Sequence, residues 1–174
     1  MTARSEGRVV RLREVNRVLM EGPSYGFIHS GGMEATWILY KAKDTYIYGF
    51  FIASRFASHS ACERRLAGTL TFVSGDEPPI GSDRWGLRRL VQWAKQRGSS
   101  DDLATPLLDL AENRKQLAHY KNLFGDEPSW VARVLRGPTA EGEWMDQVPI
   151  ALQAESLTAL KTALSLHFEW SGIP

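Results

Sequence analysis

Apolar and aromatic residues recur three or four positions apart over most of this chain, which is the spacing of helices that bury one face. The longest such track, 33–73, contains no proline and is compatible with one long helix or with two nearly collinear helices. A loop rich in glycine and proline follows at 73–83, and the next apolar stripe predicts a helix over 84–97. Ser82 or Asp83 is placed to cap that helix.

Gly98 is expected to close this helix, and two starts are open for the helix that follows. In the first, Ser99 or Ser100 caps it. In the second, Thr105 is the cap and Pro106 takes the first helical position, where its missing N–H costs nothing.

The two ends of the chain are also predicted to be helical. Residues 1–32 are interpreted as a basic arm or short helix followed by a turn-rich linker. A short helix over 129–136 and a last helix over about 149–169 complete a single helical domain, 33–174. Because strand-like alternation is absent and most connections are short, we predict an all-α, antiparallel bundle of four to six helices.

Composition narrows the classes of function. The net charge is only +1, so no global basic field indicates a nucleic-acid partner. The single cysteine, Cys62, excludes an intramolecular disulfide and is expected to pack as a small buried hydrophobe. Without a signal-like N-terminus, the chain is expected to be cytoplasmic. The most apolar stretch, 46–53, is too short to span a bilayer, so no membrane partner is expected.

Neither a metal nor a cofactor is expected. His59 and Glu63 lie one helical turn apart, as two metal ligands would, but no His-Glu-x-x-His motif accompanies them. A glycine-rich phosphate loop, a dinucleotide fingerprint and a Ser-His-Asp arrangement are all missing from the sequence.

The segment ENRKQLAHYKN (112–122) carries the most suggestive chemistry. Arg114 and His119 stand five positions apart, which turns their side chains about 140° away from each other around a helix. Arg114 falls on the leucine stripe, where a cation must snorkel, pair, or line an interface with a partner. A histidine transfers protons near neutral pH and an arginine holds phosphate oxygens, so the pair suits metal-independent cleavage of RNA. The alternative is a solvated helix end with a chance histidine.

This segment is similar to the Arg-x(4–6)-His motif of the HEPN (higher eukaryotes and prokaryotes nucleotide-binding) superfamily, and the resemblance covers roughly 35–122. It implies a helical bundle that dimerises so that the Arg/His segments of both protomers line one cleft. It also implies metal-independent ribonuclease activity, with no cofactor, in toxin–antitoxin, phage-defence or CRISPR-linked systems.

Carried over by this resemblance, Arg114 and His119 would be the catalytic residues. Glu112 or Asn113 would give polar support, and Glu63 would orient Arg114 from an earlier helix.

The basic helix 84–97 offers a surface that could follow a phosphate backbone, although it could equally be a solvated face. The candidate nucleic-acid contacts are Arg88, Arg89, Lys95, Arg97 and Lys115. Trp85, Trp93 and Trp130 could stack on bases, but tryptophans at helical spacing more often belong to the core.

We therefore expect a HEPN-like homodimer acting on RNA, as the endoribonuclease effector of a toxin–antitoxin or phage-defence system with an antitoxin or other protein partner. The alternative is a non-catalytic helical module that binds a protein or a nucleic acid. The basic arm (4–17), the basic helix, and Lys115 and Tyr120 beside the motif favour this alternative.

Overall fold

A computed structural model of the chain describes residues 3–21, 32–75, 79–118 and 144–168. These residues form six α-helices and one short 3-10 helix and contain no strand, which confirms the predicted all-α class. The helices are α1 (Ala3–Glu21), α2 (Gly32–Ile47), α3 (Phe51–Ser74), α4 (Leu87–Gln96), α5 (Asp101–Ala118) and α6 (Trp144–Phe168), and the 3-10 helix is Ser82–Arg84.

The long apolar track is divided into two helices by a tight turn at 48–50. Gly49 sits in this turn with φ of 85°, a left-handed conformation that glycine adopts without steric cost. Just past the turn, the Ser54 hydroxyl donates a hydrogen bond of 2.8 Å to the carbonyl oxygen of Ala42. Helices α2 and α3 are therefore an antiparallel hairpin, and the prediction of one long helix or two collinear ones was wrong. The apolar spacing continues across the turn and hides it.

The basic N-terminal segment is a helix held against this turn. The Arg11 Nε donates to the carbonyl oxygen of Ile47 at 2.9 Å. One turn further along α1, Glu14 accepts a hydrogen bond of 2.6 Å from the hydroxyl of Tyr46, and Val15 is fully buried. The first helix is thus attached to the end of α2 by both polar and apolar contacts.

Helix α4 begins later than its stripe suggested. Residues Ser82–Arg84 wind into a 3-10 turn, so the predicted cap at Ser82 or Asp83 was wrong, and the N-cap position is Gly86. A side chain from another helix supplies the cap, because Glu63 Oε2 accepts a hydrogen bond of 3.1 Å from the backbone N–H of Leu87. Gly98 ends the segment with φ of 89°, as predicted.

Helix α5 uses the first of its two predicted starts. The Ser100 hydroxyl accepts a hydrogen bond of 3.2 Å from the N–H of Asp102, and the helix begins at Asp101. Pro106 consequently lies inside the helix, and the start at Thr105 was wrong. The predicted short helix at 129–136 lies outside the described residues.

Helix α3 lies at the centre of the bundle and contacts α2, α4, α5 and α6. Helix α6 runs parallel to α3, since Glu155 pairs with Arg55 near one end and the charge of Arg65 acts on His167 near the other. Within the described residues, every helix is too short or too polar to cross a bilayer.

Candidate functional site

One face of α3 is buried and yet polar. Arg55, His59 and Arg65 are 3%, 2% and 2% exposed, although they are large groups that water normally solvates. Buried small residues recur on the same face at helical spacing, namely Ser54, Ser58, Cys62 and Thr69. Because a buried charge is costly unless it is paired, the buried polar residues of this stripe mark a candidate site.

Arg55 forms an ion pair with a residue of another helix. Its Nη1 atom lies 2.6 Å from Oε2 of Glu155, a side chain that is 37% exposed. The ion pair therefore runs from the interior of α3 to the accessible side of α6.

A pocket of about 360 Å³ opens beside this ion pair, between α3, α5 and α6. Apolar side chains from α5 and α6 form part of its wall. Its polar lining consists of Arg55, Asp109, Asn113, Glu155, Thr158 and Thr162.

The predicted catalytic arginine lies at the edge of this region. Arg114 is exposed to solvent and borders a narrow crevice with Arg55, Phe56 and Leu110. Two of these neighbours, Arg55 and Leu110, also line the larger pocket. Arg114 therefore reaches solvent from the leucine stripe, as a snorkelling side chain does, and adds a positive charge beside two of the residues that line the pocket.

His59, on the buried face of α3, lies near Arg114, a relationship that the sequence did not indicate. Burial, and then the positive charge of Arg114, lower the pKa of His59 to about 4. Its Nδ1 atom is 3.9 Å from Oε2 of Glu63. The imidazole is therefore neutral at pH 7 and has little contact with solvent.

The other predicted catalytic residues are divided between different places. Asn113 lines the pocket. Glu112 points towards α4, where its Oε2 atom lies 2.6 Å from Nη2 of Arg88. Glu63 caps α4 through the N–H of Leu87 and lies near His59. His119 lies outside the described residues.

Two of the predicted nucleic-acid contacts on α4 are paired with acidic side chains. Arg88 forms the ion pair with Glu112, and Lys95 Nζ lies 2.8 Å from Oδ1 of Asp101. Both pairs join α4 to α5. An RNA backbone would have to compete with these carboxylates for the two cations.

The other two predicted contacts, Arg89 within α4 and Arg97 at its C-terminal cap, stack on tryptophans. The guanidinium of Arg89 lies 4.3 Å from the ring centre of Trp85, and that of Arg97 lies 4.6 Å from the ring centre of Trp93. Trp93 is buried, which agrees with a core role for it. The side chain of Lys115 and all of Trp130 lie outside the described part of the chain.

The His59 and Glu63 pair finds no third ligand. Among the described residues, no group of three histidine, cysteine, aspartate or glutamate side chains is arranged to hold a metal ion. Cys62, between them in sequence, is completely buried, and burial raises the pKa of its thiol. The thiol therefore stays protonated and packs as an apolar group, as predicted.

A second, half-buried histidine lies on α6, near the far end of the polar face of α3. His167 Nδ1 donates a hydrogen bond of 2.8 Å to the carbonyl oxygen of Ala163. Burial lowers its pKa to about 4, with a further decrease from the charge of Arg65 and an opposing increase from that hydrogen bond.

Sequence patterns did not single out Arg55, Asp109 or Glu155 as site residues. Each is a single charged residue on an amphipathic helix and resembles a residue of a solvated face. A usable clue was present in α3, where Arg55 belongs to a stripe that also holds Ser54, Ser58 and Cys62 at helical spacing. Small side chains at those positions let a second helix approach closely.

The comparisons with known proteins supply no family for this chain, because no family model, curated protein or solved structure matches it. Function is therefore inferred from the pocket, the exposed Arg114 and the Arg/His motif of the sequence.

Proposed function

We propose that this chain acts on RNA as a metal-independent endoribonuclease, with Arg114 and His119 as its reacting pair. The observation that supports this most directly is the exposed guanidinium of Arg114 at the edge of the pocket between α3, α5 and α6. A permanent cation beside a pocket suits a phosphate whose flanking base enters the pocket.

In the proposed reaction, His119 removes the proton from a ribose 2′-hydroxyl. The 2′-oxygen attacks the neighbouring phosphorus, and the bond from phosphorus to the 5′-oxygen breaks. Arg114 stabilises the negative charge on the pentacovalent phosphorus, and the leaving oxygen takes a proton from the solvent or from an acid in the site. The products are a 2′,3′-cyclic phosphate and a 5′-hydroxyl.

His59 is a poor candidate for the base in this reaction. It is 2% exposed, so a ribose hydroxyl cannot reach it without opening the bundle. Its pKa of about 4 also makes it a weak proton acceptor at neutral pH. His119 therefore remains the proposed base.

The biological setting that we propose follows from the HEPN-like motif and not from the pocket. The chain would be a homodimeric effector of a toxin–antitoxin or phage-defence system, with Arg114 of each protomer facing a shared cleft. The exposure of Arg114 is compatible with this arrangement.

The test is incubation of total RNA in EDTA with the purified wild type, Arg114→Ala and His119→Ala. Arg64→Ala is the control, because Arg64 is an exposed α3 arginine in a surface ion pair with Glu34. We expect the wild type and the control to cut and both site variants to fail. Intact RNA with the wild type, or normal cutting by both site variants, refutes the proposal.

A second candidate function is non-catalytic binding of single-stranded nucleic acid along α2. Trp37 is 62% exposed, and Lys41 Nζ lies 4.6 Å from its ring centre. Tyr40, also exposed, has Lys43 Nζ at 4.9 Å. Rings for base stacking beside cations for phosphates favour this function. It predicts oligonucleotide binding that Trp37→Ala weakens, with no cleavage and no toxicity on induced expression.

A further inference from the structure

The pocket between α3, α5 and α6 has the size of a small-molecule site. Its volume of about 360 Å³ falls within the range of roughly 300–1,000 Å³ that such sites occupy. Three helices enclose it, and the buried guanidinium of Arg55 forms part of its wall. The chemistry of the wall indicates which ligand it takes.

The charges of the wall disfavour a phosphate inside the pocket. Arg55 is neutralised by Glu155 at 2.6 Å, which leaves the carboxylate of Asp109 as the unbalanced charge among the lining residues. An anion would be repelled there, whereas Arg114 outside the pocket would attract it. A nucleotide would consequently bind with its base inside and its phosphate outside.

Hydrogen-bond acceptors outnumber donors on this wall. The hydroxyl of Thr158 donates to the carbonyl oxygen of Ala154, and that of Thr162 donates to the carbonyl oxygen of Thr158, each at 3.1 Å. Their hydroxyl hydrogens are used, so their oxygens can only accept from a ligand. Asp109 adds the oxygens of its carboxylate, which are also acceptors. The pocket therefore suits a ligand edge rich in N–H groups.

One donor stands beside the main acceptor. Asn113 follows Asp109 by four residues on α5, so both side chains lie on one helix face, and both line the pocket. Guanine matches this pair: N1–H and N2–H can donate to the carboxylate, and O6 can accept from the carboxamide. Adenine and cytosine each offer the carboxylate a single amino group on that edge. We infer that this pocket binds a guanine base of the RNA, with Asp109 and Asn113 reading its Watson–Crick edge. The inference rests on the proposed function and adds base specificity to it.

The test measures binding of free nucleosides to the full chain by saturation-transfer NMR and calorimetry, so it requires no cleavage. We expect guanosine to bind at least about tenfold more tightly than inosine, which lacks only the N2 amino group, because a hydrogen bond to a carboxylate is lost. Adenosine should bind more weakly than guanosine. No binding of guanosine at millimolar concentration, or equal binding of guanosine and inosine, overturns the inference.

Variants of the two reading residues test whether guanosine binds in this pocket. Asp109→Asn should remove the preference for guanosine over inosine, and Asn113→Ala should weaken guanosine binding. Asp83→Asn is the matched control, because Asp83 is exposed, lies outside the pocket and forms an ion pair with the neighbouring Arg84. Circular dichroism checks that each variant is folded. A folded Asp109→Asn that keeps the preference also overturns the inference.

The two claims fail in different ways. If Arg114→Ala abolishes RNA cleavage while guanosine and inosine bind alike, the proposed nuclease stands and the guanine pocket is lost. If guanosine binds selectively through Asp109 while RNA stays intact, the pocket stands and the nuclease is lost.

Discussion

Arg55 of α3 and Glu155 of α6 form an ion pair with 2.6 Å between Nη1 and Oε2. The arginine end is buried, while the glutamate end opens to the pocket. Removing the carboxylate would leave a buried cation without its main counterion, which is far more costly than losing a surface pair. This ion pair thus links α6 to α3 across their packed interface and sets the charge of the pocket.

We predict that Glu155→Ala lowers the free energy of unfolding by about 2 kcal/mol, below the full cost of breaking a buried pair because water reaches the glutamate side. Urea denaturation measures this. Glu34→Ala is the control, since its ion pair with Arg64 is exposed at both ends and should contribute less than about 1 kcal/mol. Equal losses in the two variants would show that the Arg55 pair behaves like a surface pair.

Two histidines, one buried and one half-buried, predict a stability that falls in mild acid. His59 and His167 have folded pKa values of about 4, against about 6.5 in an unfolded chain. Between these values the unfolded state binds more protons, so stability is full above pH 6.5 and decreases as the pH falls towards 4. Each histidine contributes up to about 1.4 kcal/mol per pH unit in that window.

Urea denaturation at several pH values from 4.5 to 7.5 checks this pH dependence of stability. It compares the wild type with the double variant His59→Gln, His167→Gln. The double variant should lose stability less steeply in acid than the wild type, because glutamine does not titrate. Identical slopes would mean that other groups cause the acid sensitivity.

Glu63 is predicted to act through α4. Glu63→Ala should cost about 1 kcal/mol and speed amide exchange in the first turn of α4, because the cap on Leu87 is lost. Glu63→Gln keeps an acceptor oxygen and should lose less stability. If Glu63 also oriented Arg114, as the resemblance implies, Glu63→Gln would slow RNA cleavage while leaving the amide exchange of α4 unchanged.

The turn between α2 and α3 depends on its glycine. Gly49→Ala should lower the free energy of unfolding by about 1–2 kcal/mol, because an alanine resists the φ of 85°. Thermal or urea unfolding measures the loss. A Gly49→Ala variant as stable as the wild type would mean that the turn readjusts.

Sequence patterns correctly predicted a helix end where the residue that forms it is a close neighbour in sequence. Gly98 closes α4 with a positive φ, and Ser100 caps α5, because each interaction involves neighbours in sequence. The α4 cap could not be foreseen, since its acceptor comes from Glu63 on another helix. The α2–α3 turn was hidden by aromatic residues on both sides of Gly49.

The site was only partly predictable for the same reason. Arg114 and Asn113 were selected by their motif, and both lie at the pocket or its edge. Arg55 and Glu155 owe their importance to a contact between helices that are distant in sequence. No periodicity within either helix specifies which residue of the other it meets.

The cleavage rate of one defined single-stranded RNA, measured in EDTA with enzyme in excess, tests the proposed function most directly. We predict that Arg114→Ala lowers the rate by at least about a hundredfold, as loss of a charge-stabilising donor does, and that Arg64→Ala leaves it unchanged. The product should carry a 2′,3′-cyclic phosphate. An Arg114→Ala variant that cuts at the wild-type rate, or a wild type that does not cut, would contradict the assignment of Arg114.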